Sequence, residues 1–138
     1  MVDRVMHNDH LIAIIIPADF KKDGIEFFTP NEFSQQLAYM KHPMGHQISP
    51  HTHNKIERNV QNTLETLFIR SGKVRIDFYS DDRKYIGNRV VKTGDVVLLV
   101  SGGHGFTMLE VTEMIEVKQG PFTGDKDKIR FEGDQHEH

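Results

Sequence analysis

From Thr66 onward the chain is a train of short runs rich in β-branched, aromatic and other apolar residues, each closed within a few residues by a polar or glycine turn. The runs cover 66–70, 74–79, 89–91, 96–100, 105–109 and 114–117. Between them lie Ser71-Gly72-Lys73, the polar turn 80–84, Gly94-Asp95 and Ser101-Gly102-Gly103. None is long enough for a helix of several turns. Strands recurring at about eight to twelve residues bury one face each against another sheet, which predicts an antiparallel sandwich or barrel. Ser71-Gly72-Lys73, set between two such runs, has the form of a hairpin turn.

The N-terminal third reads differently. Residues 11–16 and 25–28 are short apolar strands separated by a polar turn over 19–24. Thr29-Pro30-Asn31-Glu32 then has the composition of a helix start: a capping hydroxyl, a proline suited to the first turn, and a glutamate completing a capping box. Phe33, Leu37 and Met40 follow at helical spacing, predicting one short amphipathic helix over 31–40 whose apolar stripe is a packing face. The expected organisation is one domain over 1–138. N-terminal strands and the helix occupy 1–44, a β-barrel core 45–118, and a polar tail 119–138. There are no internal repeats.

Composition narrows the chemistry. With 138 residues and no cysteine, the chain has room for one core but for neither a disulfide nor a thiolate metal site. That composition fits a reducing compartment. A net charge of −3 without a basic run argues against a nucleic-acid surface. The longest apolar run, 11–16, is too short to span a membrane, and the mixed charges of Asp3, Arg4 and Asp9 before it are unlike a secretory leader. The expectation is a soluble cytoplasmic protein.

Four of the nine histidines fall between His42 and His53. His51 and His53 are separated by one residue, which on a strand puts both imidazoles on one face about 7 Å apart. Pro50 suits the start of such a strand and Gly45 the bend leading into it. Glu65 shares parity with Leu67 and Ile69, and His104 with Phe106 and Met108, so both are expected among interior positions. Three imidazoles and one carboxylate suit a single divalent ion, and Zn, Fe, Mn, Ni and Co are all compatible with that donor set. Taken singly, His7, His10, His42, His136 and His138 read as surface residues, with His46 left open.

Gly45, His51, His53, Glu65 and Gly72 together resemble the first motif of the cupin superfamily: glycine, five residues, His-x-His, a gap, glutamate, six residues, glycine. Eleven residues separate His53 from Glu65, where three or four are usual. Glu57 stands at the usual distance, but Glu65 has the six-residue step to a turn glycine. Glu65 is therefore the expected ligand, with 54–63 an insertion near the barrel mouth and Glu57 in reserve. Gly94, Val100-Ser101-Gly102 and His104 resemble the second motif. Here Val100 replaces a proline, the histidine comes one residue early, and no asparagine follows. The resemblance implies an all-β jelly-roll barrel (a double-stranded β-helix) with one divalent metal ion held by His51, His53, Glu65 and His104. It also implies a homodimer paired through edge strands, for which 11–16 is the apolar candidate. Residues 101–106, 114–121 and 127–131 further resemble small single-domain cupins encoded among bacterial surface-polysaccharide and sugar-nucleotide genes.

Glu116 and Lys118 share one face of the last strand, Ile115 and Val117 the other. Such a charged face is commonly solvated; turned inward, its carboxylate and ammonium would serve as acid, base or substrate anchor. Lys55 and Arg58 in the insertion are placed to meet an anionic substrate such as a nucleotide sugar, or form an ordinary charged loop. Three function classes follow. The first is a metal-dependent enzyme of isomerase, epimerase or oxygenase type acting on a small polar or sugar-derived metabolite. The second is a non-catalytic sugar- or metal-binding module that regulates or scaffolds a partner. The third, a metal-free epimerase using a His/Tyr acid–base pair, fits the residues less well. No nucleic-acid or membrane partner is expected.

Overall fold

The computed structural model describes residues 1–133; His136, His138 and the end of the predicted tail lie outside them. The described residues form strands and loops with no helix, and every strand pairing is antiparallel. In chain order the strands are β1 (Asp3–His7), β2 (His10–Ile16), β3 (Gly24–Phe27), β4 (Ala38–Lys41), β5 (Glu65–Ser71), β6 (Lys73–Tyr79), β7 (Tyr85–Lys92), β8 (Val96–Leu99), β9 (Gly103–Met108) and β10 (Glu113–Lys118). They fall into two compact units, one made of Met1–Phe20 with the chain from Thr63 onward, the other of Lys21–Asn62.

The larger unit holds a five-stranded sheet, β1-β2-β8-β5-β10, and a three-stranded sheet, β7-β6-β9. Alternation builds the core between them. Along β6, Val74, Ile76 and Phe78 are fully buried while Arg75 and Asp77 take the other face. From the larger sheet, Ala13, Ile15, Leu67, Ile69, Val97 and Leu99 join them in one apolar cluster. Each large side chain in it contributes about 1.5–3 kcal/mol of transfer free energy. At the centre of the larger sheet both faces are buried, since Ile14 and Leu98 on one side are as inaccessible as Ala13 and Val97 on the other. That is why β2 reads as a continuous apolar run. On one flank the Arg89 Nε donates to Asp3 Oδ2 at 2.7 Å, tying the edge strands β7 and β1 together.

Two expectations about this unit are corrected. Ser71-Gly72-Lys73 is not a hairpin, because β5 pairs with β8 and β10 while β6 pairs with β7 and β9. Leu67 and Ile69 meet Val74 and Ile76 across the core, so the turn is a corner that carries the chain from one sheet to the other. Gly72 has φ +103°, and a Cβ there would collide with Val111 and Thr112. Its amide donates to Thr93 Oγ1 at 3.0 Å and its carbonyl accepts from the Thr93 amide at 3.1 Å. Nor is 11–16 an edge: β2 lies between β1 and β8, and the edges of the larger sheet are β1 and β10. Strand β1, with only Val5 buried, carries too little apolar pattern to be read in advance.

In the smaller unit the predicted helix over 31–40 is replaced by a loop and a strand. Strand β4 pairs with β3 from Gly24↔Lys41 to Phe27↔Ala38. The Thr29 hydroxyl, instead of capping a helix, donates to Gln36 Oε1 at 2.9 Å and accepts from the Leu37 amide at 3.2 Å. Gln36 Nε2 in turn donates to the Pro30 and Phe33 carbonyls, each at 2.9 Å. These side chains satisfy the loop's backbone groups that a helix would have paired, and Met40 is left exposed. No strand covers 42–64.

Beyond β10, residues 119–133 form no strand but are tied down. The Gln119 amide donates to Leu64 O at 3.0 Å and Thr63 Oγ1 to Asp127 Oδ2 at 2.9 Å. The Phe131 ring meets Tyr79 edge-on at 5.2 Å, with the Arg83 guanidinium 5.5 Å from its centroid. Among the described residues no helix is long and apolar enough to cross a membrane.

Candidate functional site

Glu65 is the first residue of β5 and, as its parity predicts, shares the core-facing side with Leu67 and Ile69. Its neighbours across the sheet are Leu99 on β8 and Lys118 on β10. His104, near the start of β9, lies opposite the buried Phe78 in the other sheet. The two side chains meet across the sandwich, with His104 Nε2 3.6 Å from Glu65 Oε2 and side-chain exposures of 28% and 13%. At that length the contact is longer than a strong hydrogen bond. The Glu65 carboxyl is held below its ordinary value, chiefly by the hydrogen bond the His104 ring can give it. Burial opposes the shift, and the charges of His104, Lys118 and Lys128 add to it.

Local sequence explains how His104 arrives there. Gly102 has φ +72°, and a Cβ on Gly103 would press on the Phe131 ring at 3.0 Å, so β9 begins through a gap that side chains would close. The His104 and Phe106 rings are 5.6 Å apart. Phe106 and Met108 share the face of Ile76 and Val74, as expected, yet stay 37% and 48% exposed because β9 is the edge of its sheet.

Register also answers which way the last strand faces. Met114, Glu116 and Lys118 stand opposite Ile69, Leu67 and Glu65, so the charged residues of β10 lie on the core side of the sheet. Lys118 is half-buried and Glu116 exposed, while Ile115 and Val117 occupy the opposite face, each about half exposed.

His51 and His53 are not on a strand. They lie within 42–64, in the smaller unit, and both are exposed. The segment around them lacks the alternating apolar residues that would give a strand a face to bury. Their rings nevertheless stay together, edge to face with centroids 5.2 Å apart, and His51 Nδ1 lies 2.8 Å from Ser49 O. His42 and His46 form a second pair, stacked at 4.2 Å, with His42 half-buried rather than on the surface. The four predicted ligands thus occur as two pairs, one in each unit. Among the described residues, no group of three or more His, Cys, Asp or Glu side chains is arranged to hold a metal ion. Glu57 is exposed, and of the two candidate glutamates it is Glu65 that approaches a histidine.

Lys128 was not among the sequence candidates. Its charge reaches Glu65 because the tail folds back past the start of β5, a long-range relation with no local pattern to announce it. No family model, curated protein or solved structure matches this chain.

Proposed function

We propose that the two-sheet unit is a cupin-type jelly-roll barrel. In this reading His51, His53, Glu65 and His104 hold one divalent metal ion, and the protein is an isomerase, epimerase or oxygenase acting on a small, sugar-derived metabolite. The observation that carries the reading is the meeting of Glu65 and His104 from opposing sheets at 3.6 Å. Two ligands of one tetrahedral ion, each with a bond of about 2.1 Å, stand about 3.4 Å apart. An imidazole nitrogen and a carboxylate oxygen at nearly that spacing, half-buried beside an apolar core, suit Zn, Fe, Mn, Ni or Co. The motif spacing, not the structure, names His51 and His53 as the other two ligands of this reading. When bound, the metal supplies Lewis acidity to a substrate oxygen. Glu65 and His104 then serve as anchors, and Lys118, opposite Glu65, orients substrate.

Metal titration of single variants tests the ligand set. Glu65→Ala and His104→Ala should each weaken affinity at least about tenfold, as should the His51→Ala/His53→Ala double variant, while Glu57→Ala leaves it unchanged. Unaltered affinity in Glu65→Ala, or its loss in Glu57→Ala, overturns the assignment.

The direct approach of His104 to a charged Glu65 also favours a second reading, in which the pair is a metal-free acid–base dyad with Glu65 orienting the imidazole. That reading requires turnover by chelator-treated protein and by the double variant lacking His51 and His53. The metal reading requires turnover in neither.

A further inference from the structure

Strand β10 ends the larger sheet, paired with β5 on one side and with no strand on the other. Alternation fixes which of its backbone groups face outward. The Gln119 amide donates to Leu64 O at 3.0 Å, so the amides and carbonyls of Val117 and Ile115 also face β5. Those of Glu116 and Lys118 face the open edge. Among the described residues neither outward amide has a hydrogen-bond partner.

One face of this edge is apolar and open. Phe68, Ile115 and Val117 lie on it, 41%, 50% and 51% exposed, with Ile115 directly opposite Phe68. The core-facing side carries Glu116 and Lys118, two positions apart. Lys118 stands opposite Glu65, whereas Glu116 stands opposite Leu67 and has no cation within 4.0 Å among the described residues. Charges turned to the core side of an edge strand oppose its pairing with most other strands. An acid and a base at this spacing admit one partner, a strand with the same pattern running the other way.

We propose that β10 pairs antiparallel with β10 of a second copy of this chain, about a two-fold axis through Val117, joining the two larger sheets into one. In that register Glu116 of each copy faces Lys118 of the other, and opposite charges meet on both sides of the axis. These are the positions whose amides and carbonyls point outward, so each pair exchanges both backbone hydrogen bonds. Val117 meets its own counterpart, with Ile115 diagonal to it, and the apolar face runs unbroken from one copy to the other. An axis through Glu116 or Lys118 sets like charges against each other, and one through Ile115 leaves Lys118 opposite Thr112. The pairing is independent of what binds at Glu65.

Sedimentation of the full chain over a range of concentrations tests it. The chain should be a dimer, and Glu116→Lys or Lys118→Glu, each facing like charges on itself, should weaken self-association at least about tenfold. Mixed together, the two variants carry complementary patterns and should form a heterodimer, which also shows that both are folded. Cross-linking reads the register, since the chain has no cysteine. Val117→Cys should oxidise to a disulfide-linked dimer, because a non-hydrogen-bonded pair brings its Cα atoms to about 4.5 Å. Ile115→Cys should not, since its counterpart lies about four residues, roughly 13 Å, along the strand. A monomeric wild-type chain, a dimer indifferent to both charge reversals, a mixture that fails to associate, or cross-linking of Ile115→Cys in preference to Val117→Cys overturns the proposal.

Discussion

Glu65 and His104 come from different sheets and lie far apart in the chain, yet their side chains meet at 3.6 Å. The pairing links β5 to β9 at the end of the core, opposite in character to the apolar contacts that fill its middle. Because the carboxyl is held below 4.5, its folded form binds a proton less readily than its unfolded form. The stabilisation it brings is complete above that pH, shrinks as pH falls below it, and is gone once the folded carboxyl is protonated. In metal-free protein, wild type should therefore exceed Glu65→Gln in urea midpoint at neutral pH, with the difference narrowing below about 4.5. A difference that does not change with pH would show that the charge of Glu65 is not what stabilises the contact.

Gly72→Ala tests the corner between the sheets. The backbone there is in the left-handed region and the added Cβ meets Val111 and Thr112, so the variant should lose at least about 1–3 kcal/mol in chemical denaturation. A hairpin glycine free of neighbours would cost less. Near-neutral behaviour would contradict the crossing of the chain at this point.

Asp95 is buried and accepts from the amides of Ala18 and Lys92, each at 2.8 Å, so one side chain joins the approach to β8 to the end of β2. Asp95→Ala strands both amides and should cost at least about 2 kcal/mol by the same measurement. Asp95→Asn keeps one acceptor oxygen and should recover part of the loss. Equal stability of all three proteins would remove this carboxylate from the account.

What could be read from the sequence followed from alternation. Val74, Ile76 and Phe78 against Arg75 and Asp77 announce β6 and its buried face, and the same parity put Glu65 and His104 on the core side. Alternation says which face a residue takes but not which strand lies beside it. For that reason the partition of β5 and β6 between two sheets, and the interior position of β2, were not legible. The helix expected over 31–40 failed because Thr29 has two competing uses, capping a helix with Glu32 or closing a loop with Gln36, and local spacing cannot choose between them. His51 and His53 were legible as neighbours but not as strand residues. Lys128 depends on the path of the tail, which only the folded chain reveals.

The central claim is that the Glu65–His104 pair belongs to a metal site. Elemental analysis of the chain, purified without added metal and again after reconstitution with Zn, Fe, Mn, Ni or Co, tests it most directly. The account predicts about one equivalent of metal per chain, lost in both Glu65→Ala and His104→Ala. Finding no bound metal in either preparation would contradict it.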